Sequence, residues 1–220
     1  MNLVVIPYRK REKHLDYFIE NLAPLLKKHL DNLKILVVEQ GNNKKFNRGK
    51  LLNVGIKEYI DVAKFIFLHD IDIIPNENII INLYKNESDD IVRIFNGNNT
   101  SFGGISKFKC NILEKMNGFR NDMWGWGFED EVLYYRAVIC DIPIKPRLQK
   151  KENFIFLPHK KCSGIHPTHI MNMKRGNFIN TLTKEEQMKL VTEDGLNTLS
   201  YTVIERKEIN DYIEIIKVDI

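Results

Sequence analysis

Short, wholly apolar runs alternate with stripes of apolar residues at helical spacing through the first third of the chain. Leu3 to Ile6 reads as a buried strand, closed by the basic turn Pro7-Tyr8-Arg9-Lys10-Arg11. Leu15, Phe18, Ile19, Leu22 and Leu26 then recur on one face of a helix. Ile35 to Val38 is a second strand, ended by Gly41-Asn42-Asn43, and a second helix is predicted from about Arg48 to Val62 with Leu52, Ile56 and Tyr59 inward. Phe65 to Leu68 is apolar at every position, so this third strand is expected to be buried on both faces.

Strand, helix, strand, helix, strand is the order of an α/β fold with a mostly parallel central sheet flanked by helices. Ligands of such sheets gather beyond the carboxyl ends of the strands. All three strands end there in polar residues: the Pro7 to Arg11 turn, Glu39-Gln40, and Asp70 with Asp72. One site at one sheet edge is the expectation. Further on, Ile91 to Phe95 and the glycine-broken Phe102 to Ile105 read as strands, and Asn111 to Met116, Glu129 to Arg136 and Lys184 to Val191 as helices. Leu199 to Ile204 and Tyr212 to Val218 alternate like an edge hairpin. No repeat or linker divides the chain, so residues 1–220 are expected to form a single domain.

Bulk properties narrow the function only a little. A formal net charge of +4 suits an anionic small substrate such as a nucleotide diphosphate, and is too weak and dispersed for nucleic acid. No run approaches the ~20 apolar residues that span a bilayer. Cys110, Cys140 and Cys162 are odd in number and lack metal-type spacing, which points to a reducing cytoplasm.

Chemistry concentrates in four groups. Asp70 and Asp72, two apart at a strand end, share a face and could hold Mn²⁺ or Mg²⁺, or simply cap the next turn. Trp124-Gly125-Trp126-Gly127 runs directly into Glu129-Asp130-Glu131. Flat indoles stack on sugar rings, glycines let a loop move, and acids at a helix start are favoured by its dipole. His159, His166 and His169 offer imidazole to a metal at Asp72, although each alone could be a surface histidine. Arg9, Arg11, Arg48 and Lys50 flank the predicted site, where guanidinium forks would bind diphosphate.

These blocks resemble the beta-1,4-galactosyltransferase family, glycosyltransferases of the GT-A fold. The resemblance lies in Ile6-Pro7-Tyr8-Arg9-Lys10-Arg11, Phe46-Asn47-Arg48-Gly49-Lys50-Leu51-Leu52-Asn53, Asp70-Ile71-Asp72, Phe102-Gly103-Gly104, Trp124 to Glu131, and Asp194-Gly195-Leu196-Asn197. It implies an inverting, manganese-dependent transfer of galactose from a UDP-sugar to a glycan acceptor. Asp72 would bind the metal, with His166 or His169 as its partner. Pro7, Arg9, Arg11, Phe46, Arg48, Asp70 and Gly104 would line the nucleotide. Trp126 would close over the donor, Glu129 and Asp130 would meet the acceptor, and Asp130 would be the base. Ser101 stands where galactose-specific members commonly carry tyrosine, which implies room for UDP-N-acetylgalactosamine. Without the anchor, stem and cysteine bridges of animal members, the resemblance points to a compact cytoplasmic version. A glycan-polymerase module of the same fold would share the Asp-x-Asp pair, and a sugar-binding module would have no use for the base.

Overall fold

The computed structural model describes residues 1–145, 150–159, 170–174 and 181–220. Its strands are β1 (Asn2–Tyr8), β2 (Leu33–Gln40), β3 (Phe65–His69), β4 (Ile73–Pro75), β5 (Ile91–Phe95), β6 (Ile105–Lys109), β7 (Phe154–Phe156), β8 (Thr202–Glu208) and β9 (Ile213–Asp219). Seven of them form one sheet in the order β5-β6-β3-β1-β2-β9-β8, and β4 pairs with β7 in a second. The centre, β3-β1-β2-β9, is parallel, whereas β6, β5 and β8 join antiparallel. The expected parallel core is present, inside a mixed sheet.

The alternation of β1 sorts its side chains to two cores. Leu3 and Val5 join Leu36, Val38 and Leu68 on one face, and Val4 and Ile6 join Phe18, Leu22, Leu26 and Phe67 on the other. The first core is covered by α3 (Arg48–Tyr59), α5 (Cys110–Lys115) and α6 (Glu129–Ile139); the second by α1 (Glu12–Tyr17), α2 (Ala23–His29) and α4 (Glu77–Ile79). Helix α3 lies so close to β1 that a Cβ on Gly55 would stand 2.2 Å from Val5 Cγ1.

Several elements depart from the sequence expectation. The strand read at Phe102 to Ile105 does not form up to Gly104, and β6 begins only at Ile105. The first helix is not continuous: a π-helical turn, Phe18–Leu22, separates α1 from α2. Pro24 follows at the start of α2, and a residue without an N–H cannot continue the regular ladder. Helix α3 stops at Tyr59, short of Val62. The C-terminal strands are not a free edge hairpin, because β9 lies beside β2 in parallel and only β8 is at the edge. Burial explains it: Ile213, Ile216 and Val218 are core residues, while β8 is exposed along nearly all its length. The last helix, α7 (Lys184–Glu193), opens on a capping box between Thr183 and Glu186.

Candidate active site

A pocket of about 560 Å³ opens at the carboxyl ends of β1 and β3. Pro7, Arg9 and Arg11 line it from the end of β1, Phe46 and Arg48 from the entry to α3, and Asp70 and Asp72 from the end of β3. Trp126, Glu129 and Asp130 close it from the glycine-rich loop and the first turn of α6. Ten of the predicted residues therefore meet in one hollow. Gly104 does not reach the lining; its carbonyl accepts the Asp70 N–H at 2.9 Å and so holds the β3 end from behind.

The loop geometry brings the acids in. Phe128, in the left-handed region at φ 78, turns the chain into α6, so that Glu129, Asp130 and Glu131 occupy its first turn. Trp126 is 57% exposed between Gly125 and Gly127, at φ 91 and 100, values that favour glycine. The loop is anchored by the Gly125 N–H donating to the Phe46 carbonyl at 2.8 Å.

Arg48 is the electrostatic centre. Its Nε donates to Asp70 Oδ1 at 2.8 Å and its Nη1 to Asp130 Oδ1 at 2.5 Å. Burial opposes the Arg48 charge, but Asp130 and Asp70 outweigh it and hold the guanidinium more firmly protonated than usual. Burial also pushes the Asp130 carboxyl well above the ordinary range; Arg48 pulls it back, and Glu129 and Asp70 add to the rise. The Glu129 carboxyl is raised as well, mainly by burial, and its Oε2 is buried without a hydrogen-bond partner among the described residues. The family resemblance implies a diphosphate contact for Arg48. The structure places it in the lining with its fork already on two carboxylates.

A second charged group lies at Asp72. Its Oδ2 is 2.7 Å from His159 Nε2 and 3.3 Å from Arg11 Nη1. The short strand β7 puts His159 there: it pairs with β4, and the Leu157 N–H donates to the Asp72 carbonyl at 2.9 Å. His166 and His169, the histidines preferred from sequence, lie outside the described residues. The apolar run Phe154 to Leu157 just before His159 was the available signal, since a third apolar segment near Asp72 could pair with Ile73 and Ile74. Among the described residues no group of three or more histidine, cysteine or acidic side chains gathers for a metal. The Asp72 oxygen and His159 nitrogen nevertheless stand side by side at 2.7 Å, an oxygen–imidazole donor pair of the kind that fits a divalent ion such as Mn²⁺ whose other positions go to phosphate oxygens and water.

His69 supports the same corner from inside. It is fully buried, its Nδ1 lies 2.9 Å from the Asp70 carbonyl, and burial pushes its pKa down to about 4. A carbonyl only accepts, so Nδ1 carries the proton of a neutral ring and pins the backbone between the two aspartates.

Comparison with known proteins agrees with this architecture. The model of the N-terminal region of glycosyl transferase group 7 matches residues 2–87, and that of the N-terminal domain of galactosyltransferase matches residues 90–160. Human beta-1,4-galactosyltransferase 4 is 33% identical over 96% of this chain, and bovine beta-1,4-galactosyltransferase 3 is 29% identical over 93%. The chain spans 61% and 52% of their respective lengths. The solved structure of a Drosophila beta-1,4-galactosyltransferase 7 variant, in complex with manganese, UDP-Gal and xylobiose, superimposes with a TM-score of 0.74 at 24% identity. That match covers 99% of this chain and 93% of the other, and it establishes the GT-A type fold.

Proposed function

This chain belongs to the beta-1,4-galactosyltransferase family, glycosyl transferase group 7, and on that premise we propose that it is an inverting, metal-dependent glycosyltransferase. It would move galactose or N-acetylgalactosamine from a UDP-sugar to a hydroxyl of an acceptor sugar. One observation carries the reading: a single pocket joins an arginine-held carboxylate, Asp130, to a carboxylate–imidazole pair, Asp72 and His159.

Asp130 takes the proton from the acceptor hydroxyl as that oxygen attacks the anomeric carbon, and the bond to the diphosphate breaks on the opposite face. Burial raises the pKa of this acid, and the Arg48 contact works against that rise, favouring the carboxylate that a base must be. Mn²⁺ held by Asp72 and His159 would supply Lewis-acid stabilisation of the departing diphosphate. Arg11 adds a cation on the same corner. Arg9 stacks over the Phe46 ring at 5.2 Å and donates to the Lys44 carbonyl, so Pro7, Arg9 and Phe46 form an ordered bed for the nucleotide. Folding of the Trp126 loop over the donor would exclude water and suppress hydrolysis.

The name of the relatives supports galactose as the transferred sugar. Ser101 keeps the N-acetylated sugar in view, because it is small and its hydroxyl accepts the Gly103 N–H at 3.0 Å. A donor panel with Mn²⁺ and monosaccharide acceptors tests the proposal. Acceptor-dependent UDP release from UDP-galactose or UDP-N-acetylgalactosamine is expected, and release from neither contradicts it.

A further inference from the structure

The carboxylate of Asp130 stands against bare backbone. A Cβ on Gly103 would lie 2.5 Å from Asp130 Oδ2 and 3.0 Å from its Cγ, a separation that side-chain atoms do not tolerate. Just before it in the chain, the Phe102 N–H donates to the Asp130 carbonyl at 3.3 Å. The turn therefore holds the Asp130 backbone and leaves room for its carboxylate only because position 103 has no side chain.

The turn is itself fixed from behind by a buried polar frame. Asn96, fully buried, donates from Nδ2 to the Gly103 carbonyl at 2.9 Å and to Ser106 Oγ at 3.0 Å. Ser106 passes the bond on to the Phe102 carbonyl at 3.1 Å. The other end of Asn96, Oδ1, accepts from Arg93 Nε at 3.0 Å, and Arg93 Nη2 donates to the carbonyls of Asn98 and Ser101. These bonds run from Arg93 and Asn96 to the loop that carries Gly103 and to Ser106 at the start of β6. Burying an amide and a guanidinium is costly unless each polar group is satisfied, and a satisfied network specifies one loop conformation.

We infer that Asn96 and Gly103 are positioning residues that set Asp130 against Arg48: the amide locks the turn, and the missing side chain leaves the seat. The inference rests on the reading of Asp130 as the base. The charged groups around Asp130 are Arg48 from α3, Asp70 from the end of β3, and Glu129 and Glu131 from α6. Only Arg48 among them favours the carboxylate, so displacement from Arg48 raises the pH at which Asp130 ionises.

The test is a carboxyl ¹³C titration of aspartate-labelled protein without substrates, with the Asp130 signal assigned from Asp130→Asn. In Gly103→Ala and Asn96→Ala the Asp130 midpoint moves up by about one pH unit or more, as loss of a close ion-pair partner does. In the transfer assay kcat falls on the order of 10- to 100-fold, as a misplacement near 1 Å costs, with the donor KM little changed. A purely structural role would lower the folded fraction and leave the midpoint where it is. If Asn96→Ala does not fold, the one-methyl change Gly103→Ala decides alone. A folded Gly103→Ala protein with the wild-type midpoint overturns the inference. Absence of transfer by the wild type contradicts the proposed function only, because the titration is read without it.

Discussion

Arg48 Nη1 and Asp130 Oδ1 stand 2.5 Å apart, joining the first turn of α3 to the first turn of α6 in the lining of the pocket. The Arg48 side chain is 11% exposed and that of Asp130 17%. Screening by water is therefore limited, and the pair is the interaction that favours the ionised acid against its burial. Lysine offers a point charge where arginine offers a fork, and cannot hold Asp70 and Asp130 with the same geometry.

The Asp72–His159 pair makes a prediction that does not depend on turnover. Asp72→Asn and His159→Ala each weaken Mn²⁺ binding by at least about 10-fold, since even outer partners of a metal site cost that much. Titration of free Mn²⁺ by electron paramagnetic resonance reads it. Wild-type affinity in His159→Ala would assign the nitrogen ligand elsewhere.

Packing of α3 gives a second test. Alanine at position 55 gains up to ~1 kcal/mol of helix propensity over glycine. The new methyl would stand 2.2 Å from Val5 Cγ1, and overpacking a core costs about 1–3 kcal/mol. Gly55→Ala is therefore expected to lower the denaturation midpoint, and a raised midpoint contradicts the described α3–β1 contact.

Glu214 predicts a pH dependence of stability. Burial disfavours its charge, but the Tyr59 hydroxyl, Arg206 and Lys34 outweigh that and hold its folded-state pKa below the ordinary carboxylate range. A depressed pKa means that the stabilisation is present above the unfolded value and is lost as pH falls through the folded one. Glu214→Gln should cost about 2 kcal/mol at neutral pH, the scale of hydrogen bonds to a charged group. Urea unfolding at neutral and acid pH should show that difference shrinking below the usual carboxylate range.

Much of this was legible along the chain because the signals are local. Leu3 to Ile6 and Phe65 to Leu68 are strands by their own apolar runs. Asp70, Asp72, Asp130 and Trp126 stand at the ends of elements, where chemistry collects. What was hidden depends on contacts between distant segments. β9 leaves its hairpin partner at the edge and pairs with β2, which no local alternation states. His159 reaches Asp72 only because β7 pairs with β4. Arg48 read as a phosphate ligand because its two acidic partners lie 22 and 82 residues away. Asn96 stands in the polar stretch Asn96-Gly97-Asn98-Asn99, which carries no local mark of burial, yet it is fully buried.

The most direct measurement is UDP release from UDP-galactose and UDP-N-acetylgalactosamine, with and without Mn²⁺ and acceptor, for wild type and Asp130→Asn. Asparagine fills the same space and cannot take the proton, so general-base loss should lower acceptor-dependent release by about 10²- to 10⁴-fold. Release by the wild type should require both metal and acceptor, and should rise with pH as Asp130 ionises. Release that persists in Asp130→Asn at the wild-type rate, or that is indifferent to Mn²⁺, would contradict the account.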